Sequence, residues 1–193
     1  MENRLILASS SPFRKQVLEK VTPHFSSFSP DIDESPQKDE SAQQLVVRLA
    51  EQKALAGAAS YPQHLIIGSD QVCCIDGEIV GKPGNHVNAV KQLSRASGKT
   101  IMFYTGLALY NSQTQHMESL VDTFEVGFRE LSPSLIERYL NSEQPYNCAG
   151  SFKSEGSGIV LFKYLRGDDP NTLIGLPLIK LCGLLEAQNY PLL

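Results

Sequence analysis

The stretch HLIIGSDQVCCIDG, residues 64–77, decides the fold, because it combines two apolar runs with a tight turn. The first run, His64–Gly68, predicts a buried strand. That strand is expected to end at Ser69–Gln71, after which the chain continues as the apolar run Val72–Ile75. Asp76-Gly77 then predicts a hairpin turn.

Upstream of this stretch, a second strand and two helices are predicted. Leu5–Ala8 is another short apolar run, and it leads into a helix, because Ser9–Ser11 can cap a helix and Pro12 suits its first turn. Residues 29–40 are polar and acidic and predict a loop. After Ser41, apolar residues recur every three or four positions, which is typical of a helix packed on one face.

Downstream, residues 100–110 and 117–128 predict two long strands joined through Asn111-Ser112, and Ile159–Phe162 predicts another. Helices are expected around Val87, Val90 and Leu93, closed by Ser97-Gly98, from Ser132-Pro133 onward, and from about Pro177 to Glu186. Strands alternate with helices through the first hundred residues and an antiparallel pair follows. This order predicts an α/β protein with a mixed, twisted β-sheet flanked by helices. No repeat or linker divides the chain, so residues 1–193 are expected to form one domain.

The composition indicates a globular protein without a nucleic-acid or membrane partner. Of 193 residues, 41% are hydrophobic and 20% are charged, and the formal net charge is −4. Binding to a nucleic-acid backbone needs clustered Lys and Arg, whereas the longest basic run is Arg14-Lys15. The N-terminal apolar run is too short for a signal peptide or a membrane span, so a cytoplasmic location is expected. The four cysteines show no zinc-ligand spacing and are expected to be reduced thiols.

A carboxylate at the end of the central strand is the first candidate for chemistry. Asp70 follows an apolar strand, and buried Asp residues are rare unless they are paired or functional. It could serve as a general base for water or as a metal ligand. The alternative is an Asp that caps a turn.

Phosphate and metal ligands can be proposed on other loops. The helix start at Ser9, with Arg14 in its first turn, favours an anion. Lys53 lies close to the apolar stripe of its helix, and Lys82 lies between Gly81 and Pro83; either could contact phosphate oxygens or simply be solvated. In the acidic loop, Asp31, Asp33 and Glu34 could hold Mg²⁺, although such loops are usually just solvated.

Eight short blocks, in this order, resemble the Maf family of nucleotide pyrophosphatases. The blocks are SSSPFR (9–14), DIDE (31–34), EQKA (51–54), GSDQV (68–72), GKP (81–83), TG (105–106), AGSFKSEG (149–156) and NTLIGLP (171–177). The resemblance implies a Maf/ITPase-like fold, elongated with a cleft between two lobes, and a homodimer. It also implies hydrolysis of a nucleoside triphosphate to a monophosphate and pyrophosphate.

The same resemblance implies a role for each candidate residue. Asp70 would be the proton acceptor, and Glu34 and Asp70 would hold a divalent metal cation, Mg²⁺ or Mn²⁺. Phosphates would be bound by four residues: Ser9, Arg14, Lys53 and Lys82.

Three positions resemble the branch of the family that acts on 7-methyl-GTP. Members that act on dTTP and UTP carry Arg, Thr and Gln where this chain has Phe13, Gln71 and Glu155. The methyl-GTP branch usually has Trp at the first position, so Phe13 departs from it but keeps an aromatic face. A methylated, cationic guanine would stack on such a face and be attracted to a carboxylate. Two alternatives stay open: a dTTP/UTP pyrophosphatase, and a nucleotide-sensing regulator of cell division without turnover.

Overall fold

A mixed β-sheet of seven strands forms the framework of residues 4–192, the part of the chain that the computed structural model describes. In chain order the strands are β1 (Leu5–Ala8), β2 (Ser26–Phe28), β3 (Leu65–Ile75), β4 (Glu78–Val80), β5 (Thr100–Asn111), β6 (His116–Phe128) and β7 (Phe162–Arg166). Their order in the sheet is β2-β1-β3-β5-β6-β7, and β4 pairs with β3 off this path. β1 runs parallel to β2 and β3, whereas β4 is antiparallel to β3 and β7 is antiparallel to β6.

Six α-helices within the described residues accompany the sheet: α1 (Pro12–Leu18), α2 (Ala42–Ala56), α3 (His86–Ala96), α4 (Pro133–Glu143), α5 (Pro170–Ile174) and α6 (Leu178–Ala187). Side chains that the sequence identifies as caps start three of them. Ser11 and Ser132 accept from the backbone of the first turn, and Ser41 forms a reciprocal capping box with Gln44. Among residues 4–192, none of the helices has the length and apolar character needed to cross a bilayer.

The strand predicted to end at Ser69 continues instead to Ile75, so Asp70 lies within β3. This prediction was wrong because it treated the polar residues as a boundary. In the structure, Ser69 Oγ donates to the carbonyl oxygen of Gly106 and Asp70 forms an ion pair with Lys53. Polar side chains with partners of this kind can occupy the interior of a strand.

The strand predicted over Ile159–Phe162 is displaced. Ser157–Leu161 forms a 3-10 turn, and the strand begins only at Phe162. Gly158 makes the turn tight, because a Cβ atom there would lie 2.2 Å from the carbonyl oxygen of Lys153. The short strand β2 and the short helix α5 were not predicted from the sequence. The Asp76-Gly77 turn is confirmed, and both residues have positive φ angles of 54° and 79°.

The residues divide into two compact units. Unit 1 comprises Met1–Asp70, Thr105–Asp122 and Asp169–Leu193, and unit 2 comprises Gln71–Tyr104 and Thr123–Asp168. In unit 1, alternate residues of β1 face opposite sides of the sheet. Leu5 and Leu7 pack with apolar residues of α1 and α6, whereas Ile6 and Ala8 pack with Ala50 and Ala54 of α2. Helices therefore cover both faces of the sheet in this unit.

Unit 2 has an aromatic centre. Phe152 contacts three other rings edge-on, at centroid distances of 4.8–5.7 Å. Its partners are Phe103, Phe128 and Phe162. Edge-to-face packing at these distances favours a fixed arrangement of the rings. The loop that carries Phe152 is therefore held by the core of its own unit.

Helix α2 lies directly on the sheet at two glycines. A Cβ atom at Gly68 would lie 1.9 Å from the carbonyl oxygen of Ala50, and one at Gly106 would lie 2.0 Å from that of Val46. Both contacts are with helix backbone, which cannot move aside as a flexible side chain can. These two positions therefore require glycine and determine how closely α2 approaches β3 and β5.

We expect Gly68→Ala to lower the free energy of unfolding by about 3 kcal/mol, because the added methyl group must displace α2. Urea denaturation followed by circular dichroism measures this. Gly183→Ala is the matched control. Its added Cβ meets no atom within 4 Å on the exposed side of α6, and it should stabilise the helix by up to about 1 kcal/mol. Equal stability of Gly68→Ala and wild type would contradict the close approach.

Candidate active site

A buried lysine joins two carboxylates in unit 1. The Nζ atom of Lys53 lies 2.7 Å from Oδ1 of Asp70 and 2.7 Å from Oε1 of Glu34. The Lys53 side chain is only 7% exposed and that of Asp70 12%, whereas Glu34 is 58% exposed. These two carboxylates explain why Lys53 can lie beside the apolar stripe of α2, because a buried ammonium requires compensating negative charge.

Three chain segments meet at this cluster. Lys53 projects from the last turns of α2, Asp70 from the middle of β3, and Glu34 from the loop between β2 and α2. The glycine contacts described above seat α2 against β3, so Lys53 and Asp70 are held by rigid elements. Glu34 is held by a loop.

Arg14 lies near the same cluster. Its Nε atom donates a 2.8 Å hydrogen bond to the carbonyl oxygen of Gly175, which also lies 2.9 Å from Ser69 Oγ. Burial lowers the pKa of Arg14, while the charges of Asp70 and Glu34 act in the opposite direction. A guanidinium keeps its proton in spite of such a shift. Two cations and two carboxylates therefore lie close together, and their formal charges cancel.

Of the remaining predicted phosphate ligands, Ser9 and Lys82 lie in different units. Ser9 follows β1 and is buried, and its Oγ accepts from the backbone N–H of Ser11. Lys82 belongs to unit 2 and is exposed in the loop after β4. Side chains of α3 support that loop: Asn88 Nδ2 donates to Pro83 O at 3.0 Å, and Gln92 Nε2 donates to Gly81 O at 3.1 Å.

The predicted specificity residues are also distributed between the units. Phe13 lies in α1 of unit 1 and is half-buried. Gln71 is half-buried in β3 where unit 2 begins, and Glu155 is exposed in the loop that follows Phe152. Glu155 Oε2 accepts a 3.2 Å hydrogen bond from Ser154 Oγ. Each of the three side chains has some accessible surface.

The donor set at Glu34 and Asp70 fits a hard divalent cation. Both groups are carboxylates and both already converge on one cationic nitrogen. Within the described residues no cluster of three or more His, Cys, Asp or Glu side chains has the geometry of a metal site. Two carboxylates are the protein contribution expected for Mg²⁺, which takes its other ligands from substrate phosphates and water.

Several residues that support the site were not predicted from the sequence. Buried Asp122 forms a 2.7 Å ion pair with Lys180 and accepts from Thr172 Oγ1, and Thr105 Oγ1 donates to Thr172 O at 3.1 Å. Two of these residues lie in blocks noted above, Thr105 in TG and Thr172 in NTLIGLP. The blocks marked the segments, but residue type alone gave no indication of their contacts.

The acidic loop is fastened to α2 by an Arg–carboxylate pair. Arg48 Nε and Nη2 donate to the two oxygens of Glu40 at 2.6 and 2.8 Å, and Nη2 also donates to Ser35 O at 3.1 Å. This fork lowers the pKa of Glu40 to about 2. Asp33 accepts from the backbone N–H of Ser35, so the residue before Glu34 is also held in a local turn.

Comparison with known proteins agrees with this architecture. Among solved structures, the Ham1 protein of Staphylococcus aureus is similar at 12% sequence identity and a TM-score of 0.54, over 95% of this chain and 98% of that chain. At this identity the similarity shows the fold alone, and it confirms the predicted mixed sheet flanked by helices. Residues 4–188 match the Maf-like protein family, and the chain belongs to that family. Maf proteins are generally nucleotide pyrophosphatases.

The low pKa of Glu40 makes stability depend on pH. Its carboxyl has a pKa of about 2 in the folded chain against an ordinary value of 4.5. Between these values the unfolded chain binds a proton that the folded chain does not, so the free energy of unfolding falls as pH falls. We expect this contribution to be complete above pH 4.5 and lost by about pH 2.

Urea denaturation of wild type and Glu40→Gln at several pH values between 5 and 2.5 measures this contribution, because other acids titrate in both proteins. We expect a steeper decrease in the wild type. Parallel curves for the two proteins would show that the Arg48 fork does not favour the charged form of Glu40.

Proposed function

We propose that this chain hydrolyses a nucleoside triphosphate between the α and β phosphates and releases a nucleoside monophosphate and pyrophosphate. The observation that carries the proposal is the buried Lys53 between Asp70 and Glu34. It puts a carboxylate suited to activate water beside cations suited to bind phosphate. Membership of the Maf-like family supports the same reaction class.

In this proposal Asp70 accepts the proton of the attacking water. The ion pair with Lys53 engages Oδ1, which fixes the orientation of the carboxylate, and Oδ2 is the proposed proton acceptor. Because Asp70 lies in a strand and its partner Lys53 lies in a helix, the carboxylate would keep its orientation during the reaction. Such positioning is a main contribution that an enzyme makes to phosphoryl transfer.

Arg14, Lys53, Lys82 and Ser9 are the proposed phosphate ligands. Arg14 uses Nε for Gly175 O, which leaves the two terminal nitrogens of the guanidinium to form a fork towards phosphate oxygens. Lys53 is the most constrained of the four, and its ammonium can take a phosphate oxygen beside its two carboxylates. Mg²⁺ or Mn²⁺ at Glu34 and Asp70 would neutralise phosphate charge when bound.

We further propose 7-methyl-GTP as the preferred substrate, with 7-methyl-GMP as the product and the clearing of modified nucleotides as the role. Phe13 would stack on the cationic base. Glu155 would accept hydrogen bonds from guanine N1–H and the 2-amino group, a donor pair that pyrimidines lack. Gln71, beside Asp70 in sequence, completes the set. The expected homodimer stays a prediction.

Two other functions would be recognised by one experiment. A dTTP or UTP pyrophosphatase would release pyrophosphate from pyrimidine nucleotides first, and a regulator of cell division would bind nucleotides without release. A pyrophosphate-release assay over 7-methyl-GTP, GTP, dTTP and UTP, with and without Mg²⁺ or Mn²⁺, distinguishes the three.

We expect Asp70→Asn to lower kcat by about 10²–10⁴-fold, because an amide cannot accept the proton of water. The variant should keep the wild-type circular dichroism spectrum, since Lys53 retains Glu34 as a partner. Asp168→Asn, a change at an exposed carboxylate, is the matched control and should keep full activity. Turnover by Asp70→Asn near the wild-type rate would require another base, with Glu34 the next candidate.

We expect Glu155→Gln to lower the ratio of kcat/KM for 7-methyl-GTP over UTP by about tenfold, because the charge attraction and one acceptor oxygen are lost. Steady-state kinetics on both nucleotides give the ratio. Glu186→Gln on exposed α6 controls for the loss of one negative charge. An unchanged ratio would remove Glu155 from base recognition without affecting the proposed reaction.

A further inference from the structure

One backbone carbonyl in the segment Asp169–Pro177 lies within hydrogen-bond distance of two side chains, Arg14 and Ser69. The carbonyl oxygen of Gly175 accepts from Arg14 Nε at 2.8 Å and lies 2.9 Å from Ser69 Oγ. Ser69 has one hydroxyl proton and lies at least as close to Gly106 O, at 2.8 Å, so the Arg14 bond is the one donated to Gly175 O alone. The direction of the Arg14 guanidinium therefore depends on where the chain places this one oxygen.

A buried polar clamp holds the segment in place. Thr172, one turn before Gly175, is fully buried, and its Oγ1 donates to Oδ2 of Asp122. The other oxygen of Asp122 is paired with Lys180 Nζ at 2.7 Å. The backbone oxygen of Thr172 accepts from Thr105 Oγ1 at 3.1 Å. Both the side chain and the main chain of Thr172 are thus tied to the sheet.

The geometry between the clamp and Gly175 is also fixed. Gly175 ends α5 with a φ of 109°, which favours glycine, and its N–H donates to Thr172 O at 3.0 Å. Asp169 begins the same turn: Oδ1 accepts from Asn171 N and Oδ2 accepts from Ile179 N, both at 2.8 Å. The segment is a single hydrogen-bonded unit from Asp169 to Gly175.

We propose that Thr172 and Asp122 are positioning residues for phosphate binding, acting through Gly175 O on the guanidinium of Arg14. By holding Nε, the clamp fixes the plane of the guanidinium and aims its two terminal nitrogens at the phosphate chain. This inference rests on the proposed function, in which Arg14 binds phosphate. It gives the NTLIGLP segment a role in binding, although none of its side chains contacts phosphate in the proposal.

A merely structural role makes a different prediction. If Thr172 only stabilised the fold, its loss would weaken phosphate binding to the same extent with or without Arg14. If it acts through Arg14, its loss has no further effect once Arg14 is gone. A double-mutant cycle separates the two, because residues that act through a shared contact are not additive.

The test uses the full-length protein and inorganic triphosphate, which reports on phosphate binding without a base. Isothermal titration calorimetry in Mg²⁺ compares wild type, Thr172→Val, Arg14→Ala and the double variant. Val keeps the shape of Thr but removes the hydroxyl that binds Asp122. Thr172→Ser keeps the hydroxyl and is the matched rescue.

We expect Thr172→Val to weaken triphosphate binding about tenfold and Thr172→Ser to stay within about twofold of wild type. In the Arg14→Ala background, Thr172→Val should cause no further loss. Equal losses in both backgrounds would overturn the positioning role. If Thr172→Val does not fold, Lys180→Gln, at the half-exposed end of the clamp, replaces it in the double-mutant cycle with Arg14→Ala. Equal losses of binding in both backgrounds would again overturn the positioning role.

Pyrophosphate release measured on the same proteins separates this inference from the proposed function. Turnover of nucleotides with additive losses would leave the reaction standing and reject the clamp. If the losses of triphosphate affinity are coupled but no nucleotide is turned over, the positioning role of Thr172 stands and the proposed reaction is rejected. A wild-type protein that neither binds triphosphate nor releases pyrophosphate would overturn both.

Discussion

The buried ammonium of Lys53 is the constraint on which the rest of unit 1 depends. An ammonium side chain that is 7% exposed is tolerated only if opposite charge lies within hydrogen-bond distance. Asp70 meets that need because α2 lies against β3, and α2 can lie there only because Gly68 and Gly106 leave room for its backbone. Two glycines, one helix and one ion pair thus form a single arrangement, and we expect a change in any of them to displace Asp70.

Much of this fold can be predicted from the sequence because its signals are local. The apolar runs of β1 and β3, the serine caps of α1, α2 and α4, and the Asp76-Gly77 turn each act over a few residues. The length of β3 could not be predicted in this way, since the partner that accommodates Asp70 within the strand is Lys53, seventeen positions earlier. The displaced strand at Phe162 has a similar cause, because the tight approach of Gly158 to Lys153 is not visible in an apolar run.

The candidate site shows the same division between local and distant information. Asp70, Arg14 and Lys53 could be proposed as site residues from their local sequence. Asp70 and Lys53 are charged residues beside apolar runs, and Arg14 lies in the first turn of a helix. Asp122 and Gly175 gave no such signal. Their importance depends on contacts with residues 50 or more positions away, as in the pairing of Asp122 with Thr172 and Lys180 and of Gly175 with Arg14. Supporting residues of this kind can be recognised only from the structure, because the fold brings them into contact with partners that are distant in sequence.

In unit 2, the loops that carry Lys82 and Glu155 are supported by one side chain of α3. Gln92 donates to Gly81 O and accepts from Ser151 Oγ, which ties both loops to the same helix. Phe152 then fixes the second loop in the aromatic centre of the unit. In the proposed function Lys82 and Glu155 bind the substrate, and supported loops would reduce the conformational entropy lost on binding.

The charge balance of unit 1 bears on whether the site performs chemistry. A protein that only captured a triphosphate would gain from an excess of positive charge, yet the formal charges of Arg14 and Lys53 are cancelled by Asp70 and Glu34. Carboxylates beside the proposed phosphate ligands would weaken simple anion binding, since like charges repel. Two carboxylates at this place are explained by functions that cations cannot perform. They can accept a proton, and they can hold a divalent cation that restores the positive charge. The buried carboxylate of Asp70 therefore argues for hydrolysis rather than for sensing.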